Sequence, residues 1–382
     1  MKHRILLATA LAAIGSQVFA ATQATDATKS AKAGAAAKPR MEVCFVLDTT
    51  GSMSGLIEGA KQKIWSIANG MVSAKPTPEI RLGVIGYRDR GDEYVVKSFA
   101  LTNDIDAVYA NLQGFRAGGG GDTPESVNEA LYEAVHTMAW SGDRSVLKII
   151  FLVGDAPPHM DYGNAPKYPE ICQAAMKQDL IINTVQCGGI VETAPVWQEI
   201  AKLSEGSYAA IAQSGGMVAL ATPMDTELAA LNRQLGTTLV AYGGAAARRA
   251  VASKQLAAEA APASVAADRL FFNMKAGVAV QGEGELLDTL NNGKLKLADV
   301  KKDQLPADWQ KLSEPELKAA VGEKQQERAG LQARIAKLGQ QREEYLAQER
   351  KRLAAGSRAD SFDETVAQIL RAQAAKKGIG YE

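Results

Sequence analysis

Histidine and cysteine are scarce in this chain, with three of each among 382 residues. No Cys-X-X-Cys pair and no Cys/His spacing of the kind that builds a zinc site is present, so the sequence itself supports no zinc centre. The histidines are scattered and none is paired with a nucleophile, which argues against an enzyme, a metal-assisted hydrolase included. An excess of either charge is also missing. Lys+Arg and Asp+Glu both number 43, which removes the electrostatic basis for binding nucleic acid or an anionic membrane. Beyond the N-terminal segment no apolar run is long enough to span a bilayer. Aromatics make up only 6%, and alanine is heavy towards the C-terminus, which favours helices there.

What is present begins with an export signal. Lys2, His3 and Arg4 form a basic start, Ile5 to Ile14 a short apolar core, and Val18-Phe19-Ala20 offers a cleavage site. No lipid-accepting cysteine follows. The sequence thus predicts an exported protein, periplasmic or secreted, with residues 1–20 as signal peptide and 21–40 as an Ala/Thr/Lys-rich flexible linker. Export permits disulfides. Cys44 lies inside an apolar run and reads as a buried small hydrophobe. Cys172 and Cys187 are a possible pair, with a geometry that sequence does not settle.

From Met41 to about Thr222, short apolar runs alternate with amphipathic stretches. Strands are predicted at 42–47, 80–87, 95–100, 147–153, 181–186 and 207–211. Helices are predicted at 54–72, 105–113, 125–140, 170–178 and 196–203. Continuous apolar strands between helices imply an α/β fold, doubly wound, with a mostly parallel sheet covered on both faces. Residues 223–311 read as a helical and mixed extension. Residues 312–382 read as a helical tail that opens on a Ser313–Glu316 capping box. Leu331, Ile335, Leu338 and Tyr345 suggest a short coiled-coil seam, interrupted by charged positions such as Arg328 and Arg342. The seam serves a homo-oligomer or the packing of the helix on its own domain.

Three segments carry chemistry. Asp48, Thr50 and Ser52 alternate on the loop that leaves the first strand, placing three hard oxygen donors at one sheet edge, as Mg²⁺ or Ca²⁺ requires. Asp122 and Thr123 follow four glycines and precede a helix with Pro124 in its first turn. Asp155 ends a buried strand and is followed by Ala156-Pro157-Pro158-His159. Each segment alone is equally well explained as a turn or a helix cap. In open α/β sheets, however, ligands bind at the carboxyl ends of strands, where Asp48 and Asp155 fall. The charged loop Arg88, Asp89, Arg90 and Asp92, together with His159, forms either a rim that meets a partner or a salt-bridged surface turn.

In combination the segments resemble the von Willebrand factor A domain, and more narrowly a bacterial exported branch with Gly86-Tyr87-Arg88-Asp89, Gly119-Gly120-Gly121-Asp122-Thr123-Pro124-Glu125 and Gly154-Asp155-Ala156-Pro157-Pro158-His159. That resemblance implies a metal-ion-dependent adhesion site. Asp48, Thr50, Ser52 and Asp155 would hold Mg²⁺ (or Mn²⁺ or Ca²⁺), directly or through water. Asp122 or Thr123 would supply a further ligand, with charge favouring Asp122. The implied partner is a protein that offers an acidic group to the cation. A structural protein with a stabilising metal is the alternative.

Overall fold

The computed structural model describes residues 38–217, 220–354 and 361–381. The signal segment, nearly all of the linker, and the Gly356-Ser357 break ahead of the last helix lie outside the described residues. Among the described residues are six strands: β1 (Arg40–Asp48), β2 (Glu79–Tyr87), β3 (Val96–Thr102), β4 (Leu147–Gly154), β5 (Leu180–Cys187) and β6 (Tyr208–Ile211). They form one sheet in the order β3-β2-β1-β4-β5-β6, parallel throughout except for the antiparallel edge pair β2–β3. The expected doubly wound α/β sheet is therefore present.

The strands read as unbroken apolar runs because both faces are covered. Val43, Phe45 and Leu47 of β1 point into one core with Ile149, Phe151 and Val153 of β4. Their neighbours Cys44, Val46, Ile150 and Leu152 point into the other. The first core lies against α1 (Ser54–Val72) and α2 (Ile105–Gln113). The second lies against α3 (Val127–Tyr132), α4 (Tyr168–Lys177) and α5 (Thr193–Leu203). The helix predicted at 125–140 is shorter than its apolar pattern. It passes into a π-turn at Glu133–Thr137, where the Trp140 indole donates to the Ala134 carbonyl (2.7 Å) and the Gln178 amide to that of Val135 (3.2 Å). Side chains there take the carbonyls that further helical turns would have used.

This alternation also rules out the possible Cys172–Cys187 disulfide. Cys187 faces the first core, Cys172 packs in the second beside Trp197, and all three cysteines are free and buried.

The C-terminal half is helical, comprising α6 (Asp225–Gly236), α7 (Ala245–Ala260), α8 (Ala263–Ala276), α9 (Leu286–Asn291), α10 (Ala307–Gln310), α11 (Glu314–Ala354) and α12 (Phe362–Ala375). The capping box at the start of α11 is formed. Ser313 donates to Glu316 Oε2 through both its hydroxyl (2.6 Å) and its backbone N–H (2.8 Å). The proposed seam faces inward. Leu331 and Ile335 are buried among Leu228, Leu231, Leu235 and Leu270 of the same chain, with Leu338 at the margin. α8 and α12 return to the sheet and place Val265, Phe272, Phe362, Val366 and Leu370 in the first core. α12 is fixed there by a reciprocal amide pair. Asn183 Nδ2 donates to Gln373 Oε1 (3.1 Å) and Gln373 Nε2 to Asn183 Oδ1 (2.7 Å), both residues buried. Lys38–Glu382 thus forms one compact unit. No helix among the described residues is long and apolar enough to cross a membrane.

From β1 the chain first winds outwards through β2 and β3, then restarts at β4 on the other side. The winding direction therefore changes between β1 and β4, and a crevice opens at their carboxyl ends.

Candidate metal centre

Asp48 ends β1 and Asp155 follows β4, so the switch point brings their carboxylates together. Close approach depends on Gly154, because a Cβ there would lie 2.9 Å from Asp48 Cβ and 2.3 Å from the Tyr87 hydroxyl. Thr50 binds Asp48 Oδ1 twice, through its backbone N–H (2.8 Å) and its hydroxyl (2.6 Å), and its Oγ1 lies 3.2 Å from Ser52 Oγ. The Asp-X-Thr-X-Ser spacing thus wraps the loop around one carboxylate oxygen. The other, Asp48 Oδ2, is buried without a hydrogen-bond partner. Ser52 is exposed and marks the open side of the site.

The glycine-rich loop packs onto this turn. Gly118 N–H donates to Thr49 O (3.1 Å), and Gly51 N–H donates to Gly119 O (3.3 Å). Gly119 takes φ +76°, and a Cβ on it would strike the Asp92 carboxylate at 2.3 Å. Asp92 holds the neighbouring loop by accepting from the N–H groups of Asp89 (3.2 Å) and Gly120 (3.1 Å). Backbone bonds stitch the remaining loops together: Ser126 N to Arg88 O (3.2 Å), Glu125 N to Pro157 O (2.9 Å) and His159 N to Glu125 O (3.1 Å).

The structure distributes the sequence candidates unevenly. Asp48, Thr50, Ser52 and Asp155 converge. Asp122 does not join them through any described contact. Its exposed carboxylate instead lies 3.8 Å from His159 Nε2, and Thr123 is exposed. The residue that brings a further buried carboxylate is Glu125, whose Oε2 also lacks a partner. An added Cβ on Gly120 would sit 3.4 Å from both Glu125 Oε1 and Thr50 Cβ, which places these two side chains around one point. Glu125 was legible only as the last letter of the glycine-rich motif, where an acidic first-turn residue already has an ordinary role. Gln213, from the loop after β6, had no signal. Its amide donates to Asp155 Oδ2 (2.7 Å) and reaches Ser52 O (3.4 Å).

The expected partner-facing rim is corrected by burial. Arg88, Asp89 and His159 are only 5%, 6% and 4% exposed. The Arg88 guanidinium is turned inward and donates to Thr49 O (3.2 Å) and Arg116 O (2.7 Å), while it stacks on Tyr94. A planar five-donor group is well suited to bracing two loop carbonyls, and that task leaves it unavailable to a partner.

The electrostatics are those of a cation site. Burial pushes the Asp48 carboxyl up to about 7, against the pull of the two Thr50 hydrogen bonds and with help from the Asp155 charge. Burial, then the charges of Asp48, Asp89, Asp92 and Asp155, push Glu125 up to about 9. No Lys or Arg forms an ion pair with Asp48, Glu125 or Asp155 among the described residues. Like charges held together, two orphaned buried oxygens and an all-oxygen donor set fit a divalent cation.

Residues 42–223 match the family model described as von Willebrand factor A domain. An ariadne-like RING finger protein of Acanthamoeba polyphaga mimivirus is 28% identical over 119 residues, 31% of this chain and 11% of that protein, so the chain spans about a tenth of that relative's length. Among solved structures, proximal thread matrix protein 1 from the mussel byssus, in a form with a zinc-occupied MIDAS motif, is 15% identical, with a TM-score of 0.36 over 45% of this chain and 42% of that one. The SpRpn10 VWA domain is 14% identical, with a TM-score of 0.35 over 45% of this chain and 88% of that one. These structural likenesses are too low to carry an argument about the site. Residues 42–223 thus match the von Willebrand factor A domain model, and the strand order and the switch-point carboxylates are in keeping with that match.

Proposed function

We propose that this protein is a non-enzymatic, metal-dependent binding module of the bacterial cell envelope, exported to the periplasm and related to the exported branch that shares its Gly-Tyr-Arg-Asp, Gly-Gly-Gly-Asp-Thr-Pro-Glu and Gly-Asp-Ala-Pro-Pro-His segments. It grips an acidic side chain or C-terminus of a partner protein through Mg²⁺. The observation that carries this reading is the partly filled donor set around Asp48. Its side chains supply oxygens from one side, and Ser52 marks an edge open to solvent. Mg²⁺ takes about six oxygens near octahedral geometry, so a carboxylate from outside completes the shell by replacing water.

A scaffolding protein with a purely stabilising metal is the second reading. Glu125 and the Gln213 amide favour it, since both satisfy the site from within. The inward-facing seam of α11 speaks against the self-association that such a scaffold would use. The two readings separate in a peptide-binding assay. Fluorescence anisotropy of peptides ending in Asp or Glu should show binding in Mg²⁺ that is abolished by chelator and by Asp48→Ala. Identical anisotropy in Mg²⁺ and in chelator overturns the binding reading and leaves the scaffold.

A further inference from the structure

Beside the Asp48 site lies a second group of ligand atoms. Asp89, Asp122 and His159 come from three separate loops, and one ligand atom from each lies within 4.8 Å of the others. His159 is 4% exposed, and its Nε2 points at the two carboxylates without a hydrogen-bond partner. It lies 3.4 Å from Asp89 Oδ2 and 3.8 Å from Asp122 Oδ2, too far for a good hydrogen bond to either. A buried imidazole nitrogen that aims at two acids and bonds to neither is costly unless something stands between them.

We propose that Asp89, Asp122 and His159 form a second cation site, distinct from the Asp48 site and selective for a transition metal of the Zn²⁺ class. Three features support it. The first is the tautomer. His159 Nδ1 lies 2.7 Å from Asp161 Oδ1, so the proton sits on Nδ1 and leaves the Nε2 lone pair free to coordinate. A carboxylate behind a ligating histidine is the usual outer support of such sites. The second is rigidity. The His159 ring is stacked on Tyr162 (centroids 3.9 Å apart), and Arg90 lies over the other ring system at 3.9 Å. Asp89 is held by the Ser126 hydroxyl on Oδ1 (3.0 Å) and by the Tyr162 hydroxyl on Oδ2 (2.9 Å).

The third feature is size. Zn²⁺ bonds of about 2.0–2.1 Å in tetrahedral geometry put donors roughly 3.3 Å apart. The 3.4 Å separation already meets this, and rotation of the exposed Asp122 side chain closes the 3.8 Å one. One imidazole and two carboxylates suit Zn²⁺ better than Mg²⁺ or Ca²⁺, which prefer oxygen alone. Three protein ligands leave a fourth position open to water or to a partner group. The sequence concealed this site because its ligands share no Cys/His spacing and meet only in the folded loops.

The test is a Zn²⁺ titration of the full, untagged chain in an Asp48→Ala background, which disables the first site and isolates the second. One equivalent of Zn²⁺ should still bind. Adding Asp122→Asn, or separately His159→Gln with the fold checked by circular dichroism, should weaken binding at least tenfold. In ¹⁵N-histidine-labelled protein, Zn²⁺ should shift Nε2 of His159 and leave His136 unmoved. Loss of all Zn²⁺ binding in Asp48→Ala alone, or unchanged affinity on adding Asp122→Asn, overturns the proposal. Neither result would touch Mg²⁺ binding at Asp48 in the wild type, so the two sites succeed or fail separately.

Discussion

Asp48 is an expensive residue for the metal-free fold. Its carboxylate is fully buried, half-satisfied and close to Asp155 and Glu125. Asp48→Asn should therefore raise the melting temperature in chelator while abolishing the further rise that Mg²⁺ gives the wild type. A variant less stable than wild type in chelator would contradict the repulsion argument. The pH dependence has a definite sign. Folding raises the Asp48 carboxyl from 3.8 to about 7 and that of Glu125 from 4.5 to about 9, so the folded metal-free protein binds more protons than the unfolded chain between those limits. These two groups contribute their stability fully below about pH 4, and it is lost as pH rises towards 9. Melting temperatures in chelator should fall across that window more steeply for wild type than for Asp48→Asn, and saturating Mg²⁺ should flatten the slope. Parallel slopes in both proteins would contradict this assignment. Much of the site is legible in sequence because Asp48, Thr50 and Ser52 act through local spacing. Glu125 and Gln213 act through the fold. A charge argument along the chain favours the nearer acid, Asp122, whereas the loop turns that side chain towards His159.

Among elements, α11 shows how a linear pattern misleads. Arg328 and Arg342 read as interruptions of an apolar seam, yet both are buried and anchor the helix. Arg328 is buried and spends its donors on Glu285, Asp288 and Thr238 at 2.8–3.1 Å. Arg342 donates to Asp225 and Asp268, each at 2.7 Å. A guanidinium enclosed by carboxylates is indistinguishable in sequence from a solvated one, since its partners lie 40 or more residues away. Arg328→Ala leaves two carboxylates buried and unpaired, and should cost about 3–5 kcal/mol in denaturant unfolding. A loss below about 1 kcal/mol would mean that water replaces the side chain freely. At α12, Gln373→Ala should cost about 1–3 kcal/mol by leaving Asn183 Nδ2 without its acceptor, as the midpoint of a urea titration would report.

For the whole molecule, the C-terminal helices belong to the same compact unit as the six-stranded sheet. Phe362 packs edge-on against Phe45 of β1, with ring centres 6.2 Å apart, and Val366 and Leu370 extend the same core. A chain cut before residue 361 should expose that apolar face, bind hydrophobic dye and unfold at lower denaturant than the intact protein. Equal midpoints would show that the helix is dispensable. The strands and the mostly parallel, two-faced character of the sheet were readable from alternating apolar runs. The return of the tail was not, because an amphipathic helix carries no address for the surface that it covers.

The central claim is that the switch point between β1 and β4 is a divalent cation site. Calorimetric titration of Mg²⁺ into the wild type and into Asp48→Ala tests it most directly. The account predicts saturable binding of about one Mg²⁺ in the wild type, accompanied by proton release as the raised carboxyls ionise, and no heat of binding in the variant. Equal heats in the two proteins would contradict it.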